Sequence, residues 1–407
     1  MDGNRDHWPL VAAATALIGA SWGLGRYAYG LYLPTLRGEF GIDASAAGRI
    51  ASLSYGSYGL ALVAGAALSD RGRARHAAVL GGLCAALGTG AISLAGSATV
   101  LGVGVAIGGA STGLSSPAAF ALIAATVPAR ARDRAQSLAN AGTGFGIVVC
   151  ASSALPPTHW RLAFVLFAAL SVAVSVGIAA SAGRADPVTA SPRERRGARP
   201  SHPPRAILPL VAGAFGIGAA ASAYWTFGRD LIATAGATAS TGAALWLALG
   251  LASILAAATG DLLARYRFCA VWATLAAALA VSTAGLTLAP HALPIGLASA
   301  ALFGAGFIAL TAILIMWAAR LDPHRSATAV SATLVVLSIG GLAGAAAAGA
   351  VVDHAGFRPA FLLAAGIALI CAPLAYTPAA RHAFEPVHQD DVRCRGNRPP
   401  VPHAYES

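Results

Sequence analysis

The chain is divided almost from end to end into apolar stretches long enough to cross a bilayer, separated by short polar breaks. A membrane-spanning helix needs about 20 mostly apolar residues. Of the 407 residues, 57% are hydrophobic and only 11% are charged, which leaves too few polar side chains to cover a soluble globule of this length. The sequence therefore predicts an all-α, polytopic membrane protein.

Twelve spans are predicted, in two groups of six. The first group covers 10–34, 46–68, 76–95, 98–126, 134–155 and 160–181, and the second covers 207–229, 238–262, 269–288, 292–319, 325–351 and 358–377. The N-terminal residues run directly into an apolar stretch longer than the core of a signal peptide. We therefore interpret the first stretch as a retained helix.

The arginines predict the orientation. All 27 basic residues are arginine; with the N-terminus inside, 21 fall in inner segments, five in outer segments, and Arg26 lies within the first span. This bias predicts a multi-pass protein of the cytoplasmic membrane with both termini in the cytoplasm. The net charge of +11 does not indicate nucleic-acid binding, because the arginines lie in alternate loops and not in one patch with aromatic side chains.

One long polar break, rich in Arg, Pro and Ser, separates the two groups of spans. It predicts an N-terminal six-helix bundle over 1–182, a cytoplasmic linker over 183–206 and a C-terminal six-helix bundle over 207–378. The polar, proline-rich residues 379–407 are expected to form a disordered cytoplasmic tail.

The two halves share landmarks at the same spacing. Asp70 and Asp261 follow the second and eighth spans, Arg134 and Arg325 open the fifth and eleventh, and both pairs lie 191 residues apart. We interpret this order as an internal repeat, which is common in transporter folds. Chance similarity between arginine-rich loops is the alternative.

A loop motif between the second and third spans carries a family resemblance. Leu68–Arg75, with the sequence LSDRGRAR, resembles the cytoplasmic loop motif of the major facilitator superfamily of transporters, and Gly260–Arg267 resembles a degenerate second copy. Two features depart from the family pattern: Ala66 stands where the family usually has Gly, and the segment between Asp70 and Arg73 is one residue short. The resemblance implies two pseudo-symmetric six-helix bundles and a secondary transporter that works by alternating access, usually as a monomer.

The same resemblance implies a gating role for Asp70, Arg71 and Arg73, which would latch helix ends together in one conformation. A carboxylate near a helix N-terminus gains roughly 0.3–1 kcal/mol from the helix dipole. The alternative is that these charges only set the orientation of the chain. The segment Gly23–Pro34 also looks like the G-x-G-R-[FY]-x-Y…LP signature of a poorly characterised bacterial subgroup, which would not name a substrate.

Arg26 is the charged side chain placed well inside a span. Burying an arginine at the bilayer centre costs roughly 2.5–3.5 kcal/mol on insertion scales, so an intramembrane arginine is a candidate functional residue. It lies about 16 residues into the span, or roughly 24 Å at 1.5 Å per residue, so snorkelling to the outer surface is the alternative. If the side chain faces a cavity, its planar guanidinium suits the binding of a carboxylate or phosphate group.

Further substrate-binding candidates are polar or aromatic side chains in predicted cavity-lining spans: Tyr29, Tyr55, Asn140, Tyr224 and Trp225. Each can hydrogen-bond or stack on a solute. Tyr and Trp also form belts at the membrane interface, and Asn140 also suits a bridge between helices.

No cofactor or metal is expected, because the cysteines and histidines lack ligand spacing. A primary pump is not expected either, because the sequence contains no P-loop. A membrane-embedded enzyme would need clustered His, Asp or Glu, so a transporter of a small solute is favoured. Within that class, an organic anion is slightly favoured over export of neutral or hydrophobic compounds, and a non-transporting sensor of the same fold stays open. Coupling to protons is also open, because Asp230 and Asp353 are placed at outer ends and not in mid-span.

Overall fold

The computed structural model describes residues 7–154, 160–182, 204–288, 290–322 and 325–384. The described residues form long helices and contain no strand. Those of the first half are α1 (Trp8–Phe40), α2 (Ala44–Asp70), α3 (Ala74–Ser93), α4 (Ala98–Thr126), α5 (Ala129–Ser152) and α6 (Trp160–Ser181). Those of the second half are α7 (Pro204–Thr234), α8 (Ala239–Arg265), α9 (Phe268–Leu288), α10 (Leu293–Leu321), α11 (Ser326–Ala355) and α12 (Phe357–Tyr376), followed by the short α13 (Pro378–Phe384).

Eleven of these helices are long and apolar enough to cross a membrane; the other long helix, α5, has a lower mean hydropathy. Its first turns carry Arg130, Arg132, Asp133 and Arg134. Helix α5 packs between α1 and α8, so protein covers much of its surface. The predicted all-α polytopic fold is confirmed, and most helix bounds differ from the predicted ones by a few residues.

Helix α1 differs most from the prediction, which ended it at Pro34. Proline removes one helical hydrogen bond, but the helix continues past Pro34 to Phe40. Gly41 follows as its C-terminal cap, with a φ of 59°, in the left-handed conformation that favours glycine. Within α1, Ala20–Tyr27 form a π-helical segment. Such segments are rare and are frequent at functional sites.

Close approach at glycine holds this segment in place. A methyl group on Gly23 would lie 2.1 Å from the carbonyl carbon of Gly146 in α5, and one on Gly25 would lie 3.0 Å from the hydroxyl of Ser111 in α4. In a bilayer, where helices gain little from hydrophobic burial, small residues allow such close backbone packing. The π-helical segment is therefore fixed between α4 and α5.

We call the end of the bundle that carries the α1–α2 and α7–α8 loops the outer end, following the orientation predicted from the arginines. There the two halves are joined through α2 and α11. The Asp353 carboxylate accepts hydrogen bonds from the backbone N–H groups of Ala44 (3.0 Å) and Ser45 (2.7 Å). About two turns further along α2, the Ser52 hydroxyl donates to the carbonyl of Leu342 at 2.7 Å.

Toward the opposite, inner end, the halves are less tightly packed. Helices α5 and α8 still meet in mid-bundle, where a methyl group on Gly144 would lie 2.7 Å from the carbonyl oxygen of Gly250. Helix α8 then passes through a 3₁₀ turn at Leu255–Ala258, and between Leu255 and Arg267 only Ala256 and Thr259 are buried. The bundle is thus closed at its outer end and more exposed at its inner end.

The chain remains ordered past the predicted end of the second bundle. Residues 379–384, expected to begin a disordered tail, belong to the short helix α13. The Phe384 ring stacks on Phe268 with centroids 3.8 Å apart, and the Arg320 guanidinium lies 4.3 Å from its centroid. That apolar anchor corrects the expectation for these residues. The remaining tail and residues 183–203 of the linker lie outside the described residues.

Candidate functional site

Arg26 lies at the end of the π-helical segment, inside the bundle, with 8% of its surface exposed. Its guanidinium carbon is surrounded by four aromatic rings, with centroid distances of 4.4 Å to Tyr55, 4.4 Å to Tyr58, 5.1 Å to Trp22 and 5.9 Å to Tyr27. Aromatic faces attract a cation, and more strongly when water is excluded. The side chain is therefore held within the protein, and it does not snorkel to the outer surface.

Among the residues that the structure describes, no carboxylate forms a salt bridge with Arg26. The salt bridges among the described residues are Arg37–Asp230 and Arg161–Glu39, and Nη1 of Arg26 is buried without a hydrogen-bond partner. A buried donor left unsatisfied costs about 1–3 kcal/mol, and more when it is charged. The aromatic rings offset part of that cost.

Arg26 lines a small cavity between the two halves, about 20 Å³ in volume. Its walls are Arg26, Tyr27, Tyr29, Gly30, Ala51, Ser54, Tyr55, Val105, Trp225 and Thr226. Three of these residues, Arg26, Ser54 and Trp225, have buried polar atoms without a hydrogen-bond partner, and each of those groups can donate a hydrogen bond. The space suffices for about one water molecule, so a metabolite would require the walls to move apart.

Trp225 and Tyr27 close the cavity from opposite halves. Their rings are stacked, with centroids 3.7 Å apart and an angle of 10° between the planes. Beside them, a methyl group on Gly30 would lie 1.9 Å from the carbonyl oxygen of Trp225. Only glycine at position 30 allows α1 and α7 to come this close.

The other predicted candidates are distributed differently. Tyr55 lies in the cavity wall, and Tyr29 does too, although its hydroxyl donates to the carbonyl of Ala47 at 3.0 Å. Tyr224 is directed into the second half, where its hydroxyl lies 3.1 Å from that of Ser299. Asn140 is exposed and is not part of the cavity wall. It lies one turn from Gly144, on the inner part of α5.

Several residues of the site were not among the predicted candidates: Trp22, Tyr27, Ser54, Tyr58 and Thr226. One signal was available, because Tyr55 and Tyr58 are spaced three residues apart and so share a helix face. The contribution of Tyr27 depends on the π-helical segment, which side-chain periodicity does not reveal.

A second set of charged residues lies above the cavity, at the outer end. Arg37 of α1 forms a salt bridge with Asp230 of α7, and Asp230 is 5% exposed. The neighbouring Arg229 is buried as well, with its Nη2 at 3.4 Å from the Thr238 carbonyl. Asp230 and Asp353 were predicted to lie at outer ends, but their contacts with the first half were not predicted.

The loop that carries the family motif forms a tight helix end. Gly72, with a φ of 73°, follows the end of α2. The backbone N–H of Arg73 donates a hydrogen bond to the carbonyl of Leu68 at 2.9 Å, as in a Schellman motif. The Arg71 guanidinium donates to the carbonyl of Ala67 at 3.0 Å. Asp70, Arg71 and Arg73 are all exposed.

A model of the Major Facilitator Superfamily matches residues 14–228, just over half of the chain. No curated protein matches by sequence.

Several solved structures share the fold across nearly the whole chain. A bacterial homologue of the human lysosomal transporter Spinster, in an inward-facing and unoccupied conformation, is 17% identical, with a TM-score of 0.72 over 94% of this chain and 98% of that one. A peptide transporter, POT, is also 17% identical, with a TM-score of 0.72 over 93% and 95%. A D-xylose–proton symporter is 13% identical, with a TM-score of 0.69 over 92% and 98%.

The family match, the transporter folds and the many apolar helices agree with one another. The resemblance inferred from the loop motif is confirmed. The chain belongs to the major facilitator superfamily, as a multi-pass membrane protein that acts as a secondary transporter of small molecules and not as an enzyme.

Proposed function

We propose that the transported solute is a small organic anion and that its carboxylate or phosphate binds Arg26. The supporting observation is a buried guanidinium that has aromatic neighbours, an unpartnered Nη1 and, within the described part of the chain, no salt bridge to a carboxylate. An anion would neutralise the charge and satisfy the donor, and Arg presents a planar fork that fits such groups.

The surrounding residues favour a ligand with an apolar or aromatic body. The aromatic side chains of Tyr27, Tyr55 and Trp225 line the cavity, and Trp225 and Thr226 come from the opposite half. A solute bound at Arg26 would therefore contact both halves of the protein. Such a ligand can shift the balance between conformations, because its contacts differ between them.

Alternating access would proceed from a state closed at the outer end. The Tyr27–Trp225 stack, the Arg37–Asp230 salt bridge and the hydrogen bonds of Asp353 to α2 all join the two halves on that side. If these contacts were released and the inner parts of α5 and α8 came together, the site at Arg26 would open to the outer side of the membrane. In the cytoplasmic membrane, with both termini inside, the present state would be inward-facing, and the protein would act as a monomer.

We further propose that Asp230 links transport to protons. It is a buried carboxylate whose partner lies in the other half. Protonation would remove its charge, leave Arg37 without its partner and weaken the outer closure. In this proposal the group that binds and releases the proton is Asp230 at the outer end, and not a carboxylate in the middle of a span.

Ligand binding can test the anion proposal in purified protein. Thermal unfolding is measured with a panel of small carboxylates and organic phosphates, and with the matching neutral amides. An anion that raises Tm of the wild type should have roughly 10- to 150-fold weaker apparent affinity for Arg26→Gln, the equivalent of about 1.5–3 kcal/mol for hydrogen bonds to a charged group.

Arg49→Gln is the matched control, because Arg49 is an exposed arginine at the outer end and its loss should leave the affinity unchanged. Equal stabilisation by an acid and its amide would contradict the proposal and favour a neutral solute. Binding without any flux in proteoliposomes would identify a sensor.

A further inference from the structure

A second and much larger cavity lies outside the gap between the halves. It has a volume of about 540 Å³ and is lined by α1, α5 and α6. Its wall is apolar apart from Thr15 and the indole N–H of Trp8, and it contains the exposed side chains of Leu138, Phe145 and Leu170. Because α1 and α6 are long and apolar enough to span the membrane, and these side chains are exposed at the surface of the bundle, the groove opens toward lipid.

The groove follows one face of each helix. On α1 it runs from Trp8 past Ala12 and Ala16 to Leu24, so it is 16 residues long, or about 24 Å at 1.5 Å per residue. Small residues at 12, 16, 19 and 20 leave the floor open. The hydrocarbon core of one leaflet is about 15 Å thick, so the groove is long enough for a complete acyl chain.

Positive charge lies at the inner mouth of this groove. Arg134 is exposed, stands one turn before Leu138 on the same face of α5, and holds its guanidinium 5.8 Å from the centroid of the Trp8 ring. Helix α1 begins at the same place without a side-chain cap from His7, so its dipole also favours an anion there. Tryptophan and arginine at a helix end are typical of the level of the lipid headgroups.

We infer that this groove is a binding site for an anionic phospholipid, with the phosphate at Arg134 and the start of α1 and one acyl chain along α1, α5 and α6. The occupant is a lipid because the apolar length matches an acyl chain and an exposed arginine lies at its inner mouth. A neutral hydrophobic solute or a second copy of the protein would have no use for Arg134. The site is independent of the anion proposed at Arg26.

Thermal unfolding of the purified full chain in detergent tests this inference, with phosphatidylglycerol or phosphatidylcholine added. Phosphatidylglycerol should stabilise the wild type more than phosphatidylcholine does. Arg134→Gln should weaken its apparent affinity about tenfold, and Arg134→Lys should restore much of it because the charge is kept. Ala16→Leu, which fills the groove without removing charge, should weaken binding of both lipids.

Two control variants match these changes. Arg267→Gln removes an exposed arginine at the inner end of the second half, and Ala212→Leu enlarges an exposed alanine of α7; neither should alter lipid binding. Where a variant has a low Tm in the absence of lipid, the amount of lipid that it retains is measured by native mass spectrometry and compared with that of the wild type. Equal stabilisation by both lipids, or full phosphatidylglycerol binding by Arg134→Gln and Ala16→Leu, would overturn the inference.

Discussion

The Tyr27 ring of α1 lies flat against the Trp225 ring of α7, and the residue before Tyr27 is the buried Arg26. One of the contacts that close the outer end is therefore made by the neighbour of the proposed ligand-binding residue. A solute at Arg26 that displaced either ring would weaken the closure directly. The site and the gate share one element, the π-helical segment of α1.

Loss of the aromatic stack should loosen the outer end. Stacked aromatic pairs contribute about 0.5–1.5 kcal/mol beyond burial of area, so Tyr27→Ala and Trp225→Ala should show a coupling energy of that size in a double-mutant cycle. The readout is amide hydrogen exchange at the start of α2, which should become faster. Tyr224→Phe, which alters a ring within the second half, should leave this exchange unchanged.

A methyl group at Gly30 should prevent outer closure. It would lie 1.9 Å from the Trp225 carbonyl oxygen, and that contact exists only while the halves meet. Gly30→Ala is expected to trap the outer end open, with a longer spin-label distance between the outer ends of α2 and α11. Gly177→Ala, whose methyl group would meet nothing within 4 Å, should retain the wild-type distance. Closure in Gly30→Ala as complete as in the wild type would refute the role of this glycine.

The Arg37–Asp230 salt bridge should depend on both partners. Removing one member of a buried pair leaves an uncompensated charge and costs about 3–5 kcal/mol; because Arg37 is partly exposed, the lower part of that range is expected. Arg37→Gln and Asp230→Asn should each favour the outward-open state in spin-label distance measurements. The exchange Arg37→Asp with Asp230→Arg should recover part of the closed population. No recovery would mean that the pair does not act as a unit.

The two carboxylates at the start of α2 should differ in their effects. Asp43 accepts from the backbone N–H of Ala46 within the first half at 2.6 Å, whereas Asp353 reaches Ala44 and Ser45 from the other half. Loss of a capping carboxylate costs about 0.5–2 kcal/mol. Asp43→Ala should lower Tm in every conformation, and Asp353→Ala should lower Tm only while the outer end is closed. The two effects can be separated in the Gly30→Ala variant, whose outer end is expected to stay open. In that variant, Asp353→Ala should leave Tm unchanged, whereas Asp43→Ala should still lower it.

The fold could be predicted because membrane helices are specified locally. Apolar length and arginine placement depend on the chemistry of the bilayer and not on tertiary contacts, so the helices were found from sequence even where their ends moved. Pro34 shows the limit. Proline suggested an end to α1, but the helix continued to the glycine that terminates it.

The site was predicted only in part, because its geometry arises from packing between distant segments. Arg26 stood out because charge is costly in a membrane. Nothing in the sequence indicated that Tyr27 would face Trp225 or that Asp230 would reach Arg37, since each pair lies almost 200 residues apart. Tyr224 and Trp225 are adjacent, yet one faces the second half and the other faces the gate.

Anion flux through Arg26 is the most direct test of the account. Uptake of small carboxylates and neutral metabolites into proteoliposomes is measured with and without an imposed pH gradient, for the wild type, Arg26→Ala and the control Arg49→Ala. The account predicts gradient-driven flux of a carboxylate that disappears in Arg26→Ala and persists in Arg49→Ala. Carboxylate flux that is equal in all three proteins would contradict it.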